Sequence, residues 1–267
     1  MSSKRIKRIT NEIKELEKSL KILEDSGIFY YIKEDNINII YAMLYGPEKT
    51  PYEKGFYFFI FEYPPNYPME PPIATYCTQG YLRHSYTNSP FIVRFNPNLY
   101  SCGKVCLSML NTWNGPGWVP TNTITNVLVA IQGLVLNEEP LRNEPGFELS
   151  IKNTIDKYSQ LIEYANISIA VLEMIEKPPL YFEYFKPKME ELFLKNIKFY
   201  KDNVILKNNK HKGKVLESPA YGMKCNLDYE TLLYEICKME DLLIAKVTSK
   251  SLEDLKPLED LNILKDL

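Results

Sequence analysis

The first part of the chain has apolar residues at spacings of three and four, which predicts an amphipathic helix. Its apolar stripe consists of Ile6, Ile9, Ile13, Leu16, Leu20 and Leu23, and basic residues including Arg5 occupy the other faces. Three apolar, aromatic-rich runs follow at residues 28–32, 37–45 and 55–63, separated by polar or Gly/Pro segments. They predict an antiparallel meander, with a fourth strand at residues 73–77.

Helical periodicity returns after residue 120. Apolar stripes predict a central core helix within residues 121–137 and a further helix over residues 151–175. Pro178 and Pro179 must end this second helix, because proline lacks the backbone donor that a helix interior needs. We therefore predict a core of residues 1–176 and a carboxy-terminal extension of residues 177–267.

The extension is predicted to be helical, with helices over residues 189–200 and 227–243. The intervening basic segment, residues 207–214, is most simply a solvated loop. The extension is too rich in Phe, Tyr and Leu for a free tail, so we expect it to pack against the core or a partner.

Composition narrows the class of protein. The chain has 267 residues, 45% of them hydrophobic, and a net charge of -2, which gives no general reason to expect nucleic-acid binding. Residues 1–20 contain no uninterrupted apolar segment of signal-peptide type, and no run reaches the roughly 18 to 20 apolar residues of a membrane span. We expect a soluble intracellular protein, cytoplasmic or nuclear, without membrane or nucleic-acid partners.

The cysteines and histidines exclude two kinds of site. The five cysteines lack paired CxxC spacing, and the two histidines, His84 and His211, are far apart in sequence. A disulfide framework or a structural zinc site is therefore not expected.

Residues 96–110 carry the candidate chemistry. An Asn-Pro-Asn turn ending at Asn98 precedes Cys106 by eight residues, and Cys106 opens an apolar run. A thiol can accept an activated acyl group, and a nearby amide can stabilise the oxyanion that forms when an amine attacks. Because free cysteine is already a few per cent thiolate at neutral pH, no histidine base is essential. A lone cysteine in an apolar run is more often a packing residue.

The chain resembles the ubiquitin-conjugating enzymes over about residues 4–176. The motifs that carry the resemblance are Tyr-Gly-Pro (45–47), Thr-Pro-Tyr (50–52), Phe-Tyr-Phe-Phe-Ile-Phe (56–61), Tyr-Pro-Met-Glu-Pro-Pro (67–72), the stretch 96–110 and Trp-Val-Pro (118–120). Segments 112–117 and 143–148 are similar to the Z-type branch, whose members carry a carboxy-terminal extension. The resemblance implies an α+β fold, with an amino-terminal helix, a four-stranded antiparallel meander and following helices.

The resemblance also implies roles for individual residues. Cys106 matches the nucleophile, so its neighbour Cys102 is expected to be an incidental loop thiol. Asn98 matches the residue assigned to the oxyanion, and Glu144 matches a gate position that the family often fills with Asp or Ser. Asn96 stands where most members have a structural histidine, and an asparagine can form comparable local bonds.

Partners are implied in the same way. Met69, Pro120 and Thr121 match two loops that family members offer to ubiquitin ligases. Lys7, Arg8 and Lys14 match the helical face that docks on the activating enzyme. Ubiquitin or a ubiquitin-like modifier would rest on the thiol before transfer to a substrate lysine, with no cofactor, metal or nucleotide bound to this chain.

Two other classes of protein remain as alternatives. A catalytically silent ubiquitin-binding module would share the fold, but Cys106 and Asn98 argue against it. A cysteine hydrolase would require a histidine base near the thiol, and neither His84 nor His211 lies near it in sequence.

Overall fold

The computed structural model of the chain describes residues 3–81, 92–211 and 213–254. It is an α+β fold in which a four-stranded sheet is followed by helices and one short hairpin. The elements are α1 (Ser3–Lys18), α2 (Leu20–Asp25), β1 (Ile28–Ile32), β2 (Ile39–Tyr45), β3 (Phe56–Glu62), β4 (Ile73–Tyr76), α3 (Ile124–Ala130), α4 (Lys152–Ala165), α5 (Met174–Glu176), α6 (Lys186–Lys195), α7 (Ile197–His211), β5 (Val215–Glu217), β6 (Lys224–Asn226) and α8 (Tyr229–Asp254). Shorter 3₁₀ turns lie at Ser108–Leu110, Pro140–Asn143 and Glu183–Phe185, and π-helical turns at Ile131–Val135 and Asn166–Glu173.

The sheet is an antiparallel meander in the order β1-β2-β3-β4, which confirms the prediction. Strand β3 is apolar at successive positions because both of its faces are covered. The Tyr57 hydroxyl donates to Asn166 Oδ1 at 2.7 Å, on the side of the core helices. The next residue, Phe58, points to the other side, where its ring lies 4.6 Å from that of Phe182.

The predicted core helices are present, and each continues into a wider turn. Helix α3 begins where Thr123 caps it, in a capping box with Asn126, and runs on into the π-helical turn Ile131–Val135. Helix α4 continues through the π-helical turn that contains Asn166 and ends at Glu176, before the two prolines. Asn166 approaches strand β3 so closely that a Cβ on Gly55 would lie 1.8 Å from its Oδ1.

The amino-terminal helix differs from its prediction in two respects. It breaks between Lys18 and Leu20, and Leu20 is 42% exposed although it belongs to the apolar stripe. Arg5, predicted on an outer face, is buried. Its Nε donates to the carbonyl of Pro64 at 2.8 Å and its Nη2 to that of Tyr63 at 2.6 Å, so the proline-rich segment after β3 supplies partners that periodicity alone could not reveal.

The extension packs against the core through aromatic side chains. Phe182 is fully buried, with ring centroids 4.6 Å from Phe58 and 5.7 Å from Tyr41, and Tyr184 stacks on Tyr31 at 4.1 Å. The Tyr200 hydroxyl donates to the carbonyl of Lys54 at 2.8 Å. These contacts join extension and core in one continuous apolar core.

Three features of the extension differ from the sequence-based picture. The segment 207–211 is the end of helix α7 and not a loop; its polar composition hid the helix because no apolar residue there marks a buried face. The hairpin formed by β5 and β6 was not predicted. Helix α8 is also longer than the predicted range 227–243.

One residue considered in the sequence falls outside the described residues, since His84 lies between the described ranges that end at Tyr81 and begin at Ile92. Of the helices in the described ranges, none combines the length and the apolar content that crossing a lipid bilayer would require.

Candidate functional site

Asn96 holds the turn on which the candidate site is built. Its side chain is completely buried. Oδ1 accepts the backbone N–H of Asn98 at 2.8 Å, while Nδ2 donates to the hydroxyl of Tyr52 at 2.9 Å and to the carbonyl of Val135 at 2.7 Å. Both polar atoms of the Asn96 side chain therefore have hydrogen-bond partners, and the bond to its N–H fixes the position of Asn98.

Asn98 and Cys106 are joined by two reciprocal hydrogen bonds. The backbone N–H of Cys106 donates to the Asn98 carbonyl at 2.8 Å, and Asn98 Nδ2 donates to the Cys106 carbonyl at 2.7 Å. An amide nitrogen carries two hydrogens, so a second N–H is left for another acceptor. Asn98 Oδ1 is buried and has no hydrogen-bond partner among the described residues.

Thr112 fixes the backbone on both sides of Cys106. Its hydroxyl donates to the Val105 carbonyl at 2.7 Å and accepts the Leu107 N–H at 2.9 Å. The chain reaches this position through a turn at Gly103, whose φ of +88° lies in the left-handed region where other residues are strained. The thiol is thus carried by a rigid segment.

The two thiols of this segment differ in exposure. Cys106 is 2% exposed, whereas Cys102 lies at the surface of the turn before it. A groove of about 490 Å³ passes the residue after Cys106 without being lined by Cys106 itself; its lining residues are Asn98, Leu107, Ser108, Trp113, Gly133, Leu134, Val135, Asn137, Arg142, Asn143, Pro145 and Glu148. Burial alone fits a packing role for Cys106 as well as a nucleophile, so the pairing with Asn98 is what distinguishes the two cysteines.

Two of the remaining thiols, those of Cys77 and Cys225, are poor nucleophiles. Burial raises the pKa of Cys77 to about 11 and that of Cys225 to about 12, so both stay protonated at neutral pH. His211 ends helix α7 in the extension, where burial and then the neighbouring lysines 214 and 207 lower its pKa. Nothing in its described surroundings ties it to Cys106.

Glu144 stands between Asn143 and Pro145, which line the same groove. It follows the 3₁₀ turn Pro140–Asn143, and Asn143 Nδ2 donates to Asn96 Oδ1 at 3.4 Å, which ties this segment to the turn. The hydroxyl of Tyr221, from the turn between β5 and β6, donates to Glu144 Oε2. The carboxylate is therefore not simply solvated, because the extension supplies its partner.

Sequence analysis did not identify Arg94 or Tyr221. Arg94 Nη2 donates to the Pro97 carbonyl at 2.7 Å and its Nε to the Asn96 carbonyl at 3.2 Å, so its guanidinium supports the turn. Arg94 stands only two residues before the turn in the sequence, and this position could have indicated that its side chain supports the turn. Tyr221 gave no such signal, because its contacts are with residues far away along the chain.

The two predicted ligase loops lie against each other. Met69 is 72% exposed, and Pro120 and Thr121 are also exposed. Trp118 joins the loops, since its Nε1 donates to the carbonyl of Pro68 at 2.8 Å. The structure thus places these three predicted residues on one surface.

The residues of the predicted basic face of helix α1 are not equally exposed. Lys7 and Lys14 are exposed. Arg8 is half-buried, and its guanidinium donates to Glu12 Oε1 at 2.5 Å and to the Asn122 carbonyl at 2.7 Å. Arg8 therefore joins α1 to the loop before α3, which is a structural task beside any role in docking.

The described residues hold no group of three or more His, Cys, Asp or Glu side chains arranged to bind a metal ion. What the geometry does hold is a thiol, an amide and a carboxylate placed around one turn. That set can support transfer of an acyl group, with the thiol as nucleophile and the amide as oxyanion donor.

Comparison with known proteins gives consistent matches. A family model described as ubiquitin-conjugating enzyme matches residues 8–165. The chain is 36% identical over 229 residues to human ubiquitin-conjugating enzyme E2 Z, covering 85% of this chain and 61% of that protein. It is 37% identical over 209 residues to the Xenopus tropicalis protein of that name, covering 78% of this chain and 63% of that one.

A plant relative matches over a shorter span. The probable ubiquitin-conjugating enzyme E2 25 of Arabidopsis thaliana is 40% identical over 188 residues, which cover 67% of this chain and 28% of the plant protein. The chain therefore spans less than two thirds of the length of these curated relatives.

Proposed function

Because the chain belongs to the ubiquitin-conjugating enzyme family, we propose that it carries ubiquitin or a ubiquitin-like modifier as a thioester on Cys106 and passes it to a lysine. The observation that carries this proposal is the reciprocal bonding of Asn98 and Cys106, which ties an amide donor to the backbone of the cysteine. The core of residues 1–176 supplies these groups, and residues 177–267 form the proposed extension.

Loading exchanges one thioester for another. The Cys106 thiolate attacks the carbonyl carbon that links the modifier to a cysteine of the activating enzyme. A new C–S bond forms at Cys106, the old C–S bond breaks, and the activating enzyme leaves as a thiolate that takes up a proton. ATP is consumed before this step, so this chain needs no nucleotide.

Discharge requires a neutral amine as nucleophile and a donor that stabilises the oxyanion formed at the thioester carbonyl. The lysine nitrogen attacks the thioester carbonyl, and the second N–H of Asn98 is available for the oxyanion. Collapse of this intermediate forms the amide bond and expels the Cys106 thiolate. Lysine is protonated at neutral pH, and in this proposal the Glu144 carboxylate orients its ammonium group and helps remove the proton.

The surfaces around the site suit three partners. The groove beside Cys106 can receive an extended acyl chain. The exposed loops with Met69, Pro120 and Thr121 offer a surface for a ligase, and the exposed lysines 7 and 14 of α1 can steer an acidic activating enzyme toward this face.

A charging assay tests the proposal. The full-length protein is incubated with ATP and each pairing of an activating enzyme with a modifier, and the products are separated with and without a thiol reagent. We expect a thiol-sensitive adduct that Cys106→Ala abolishes and that the matched variant Cys102→Ala retains. The opposite pattern would assign the nucleophile to Cys102.

A silent ubiquitin-binding module is the second candidate function, favoured by the 2% exposure of Cys106. Such a module would bind the modifier reversibly and form no adduct with any pairing. The same assay therefore separates the two functions, provided that binding of the unactivated modifier is measured alongside.

A further inference from the structure

The turn between β5 and β6 brings the extension onto the edge of the thiol site. Within this turn the N–H of Ser218 donates to the carbonyl of Met223 at 2.8 Å, and Tyr221 adopts a φ of 63°, in the left-handed region that bulky residues rarely occupy. Met223 touches the core directly, since its Sδ accepts the backbone N–H of Arg94 at 3.2 Å. The turn is therefore anchored on the segment that leads to Asn98.

Tyr221 makes separate contacts through its hydroxyl and its ring. The hydroxyl donates to Glu144 Oε2. The ring lies 5.1 Å from the Arg94 guanidinium carbon and 6.3 Å from the ring of Tyr158, in an edge-on arrangement. Burial, followed by the bond to Glu144, raises the pKa of Tyr221, so the hydroxyl keeps the proton that it donates.

Arg94 extends this contact to the turn that carries Asn98. The centre of the Tyr100 ring lies 3.5 Å from the guanidinium carbon of Arg94, and the Tyr221 ring packs on the same carbon. The guanidinium nitrogens of Arg94 donate to the carbonyls of Asn96 and Pro97. A cation is attracted to the face of an aromatic ring, so contacts with two rings help to hold the guanidinium in place. Tyr221 thus contacts both the carboxylate at the rim of the site and the cation behind the turn.

We propose that Tyr221 is a positioning residue for the aminolysis step. Its hydroxyl fixes one oxygen of Glu144 and leaves the other oxygen to accept a hydrogen from the incoming lysine ammonium group. A carboxylate on an exposed loop would otherwise sample many rotamers, and a hydrogen bond to a charged group removes much of that freedom. This inference rests on the proposed function, because it needs a thioester on Cys106 and a lysine nucleophile.

The test compares two nucleophiles in single-turnover discharge of the loaded full-length protein. Free lysine is protonated at neutral pH and needs the carboxylate, whereas hydroxylamine is already neutral and does not. Tyr221→Phe keeps the ring on Arg94 and removes only the hydroxyl. We expect it to load normally, to lose about threefold to tenfold in discharge to lysine, and to react with hydroxylamine at the parent rate.

A double variant shows whether Tyr221 acts through Glu144. Glu144→Ala should slow lysine discharge, and adding Tyr221→Phe to it should cause no further loss, because the hydroxyl then has no carboxylate to orient. The matched control is Tyr234→Phe, a tyrosine of the extension that is 68% exposed on α8, and it should behave as the parent does.

The possible results are distinct. An unchanged lysine rate in Tyr221→Phe, equal slowing with both nucleophiles, or additive losses in the double variant would each overturn the positioning role. If the parent protein forms no thioester with any pairing, the proposed function fails, and this inference fails with it.

Discussion

At the scale of residues, the buried amide of Asn96 explains how the site tolerates its departure from the family pattern. A histidine at this position could reach backbone groups of the turn, and Asn96 reaches four partners with one side chain: the Asn98 N–H, the Tyr52 hydroxyl, the Val135 carbonyl and the Asn143 amide. The sequence was sufficient to predict local bonds here. It could not identify Tyr52 or Val135, because both come from distant parts of the chain.

Asn98 should affect discharge more than loading. Asn98→Ala removes the N–H proposed for the oxyanion, so we expect lysine discharge to slow by about 10² to 10³-fold while a thioester still forms. Single-turnover discharge after loading measures this directly. The matched control is Asn209→Ala, at an exposed position near the end of α7. Parent-like discharge in Asn98→Ala would leave Asn98 with only its bond to the Cys106 carbonyl.

We expect Glu144 to give the proposed discharge step a pH dependence. Glu144→Ala should slow discharge to lysine near neutral pH, and the deficit relative to the parent should shrink as pH rises, because more of the lysine is then neutral without help. A series of discharge rates across pH measures the ratio of variant to parent. A deficit that stays constant across the series would indicate a misfolded loop.

At the scale of elements, a buried carboxylate holds helix α1 against the rest of the core. Glu12 is 5% exposed. It accepts from Arg8 Nε at 2.5 Å, from the Tyr67 hydroxyl and from the backbone N–H of Ile124 at 3.1 Å, at the start of α3. The positive end of a helix favours such a charge. One side chain therefore connects α1, the proline-rich segment and α3.

Glu12→Ala should accordingly destabilise the protein. The substitution removes the acceptor of the Arg8 guanidinium, the Tyr67 hydroxyl and the Ile124 N–H. We therefore expect the free energy of unfolding to fall by about 2 to 3 kcal/mol. Equilibrium unfolding in urea measures the loss. The comparison variant is Glu15→Ala, whose pair with Lys18 is largely exposed and should contribute less than about 0.5 kcal/mol. Similar losses in both variants would show that the Glu12 contacts add little.

Helices and strands were predictable from the sequence wherever the spacing of apolar residues marks a buried face. The four strands and the main core helices follow from apolar spacing alone. The end of α7 does not, because its residues are polar on every face; a tertiary contact there is the ion pair of Lys207 with Glu163. The hairpin β5-β6 escaped prediction for a related reason: strands of three residues are too short to show alternation.

At the scale of the whole molecule, core and extension share buried surface. The division at residues 176 and 177 was placed from sequence by two prolines, which correctly mark the end of a helix. The two prolines do not indicate whether the residues that follow them pack against the core. Phe182 lies against Phe58 and Tyr41 of the sheet, so a chain cut after Glu176 would expose aromatic surface.

Phe182→Ala should destabilise core and extension together. It removes a fully buried ring from both, and we expect a loss of about 3 to 5 kcal/mol and a single unfolding transition at lower temperature. Calorimetry with a second probe of secondary structure would measure both properties. Leu180→Ala, at a nearby position that is 68% exposed, is the control and should change little. Two separate transitions would mean that the extension folds as an independent unit.

The contact of Tyr221 with Glu144 and Arg94 also has a consequence for synthesis on the ribosome. The thiol and the amide are translated early, whereas the tyrosine that completes their surroundings comes much later. At about 5 to 20 residues per second, residues 177–221 take a few seconds to translate. During that interval a nascent core already contains Cys106 and Asn98, yet the Glu144 carboxylate lacks the Tyr221 hydroxyl that it accepts in the folded protein. The surroundings of Glu144 are thus completed late, by a residue that the ribosome adds long after Cys106.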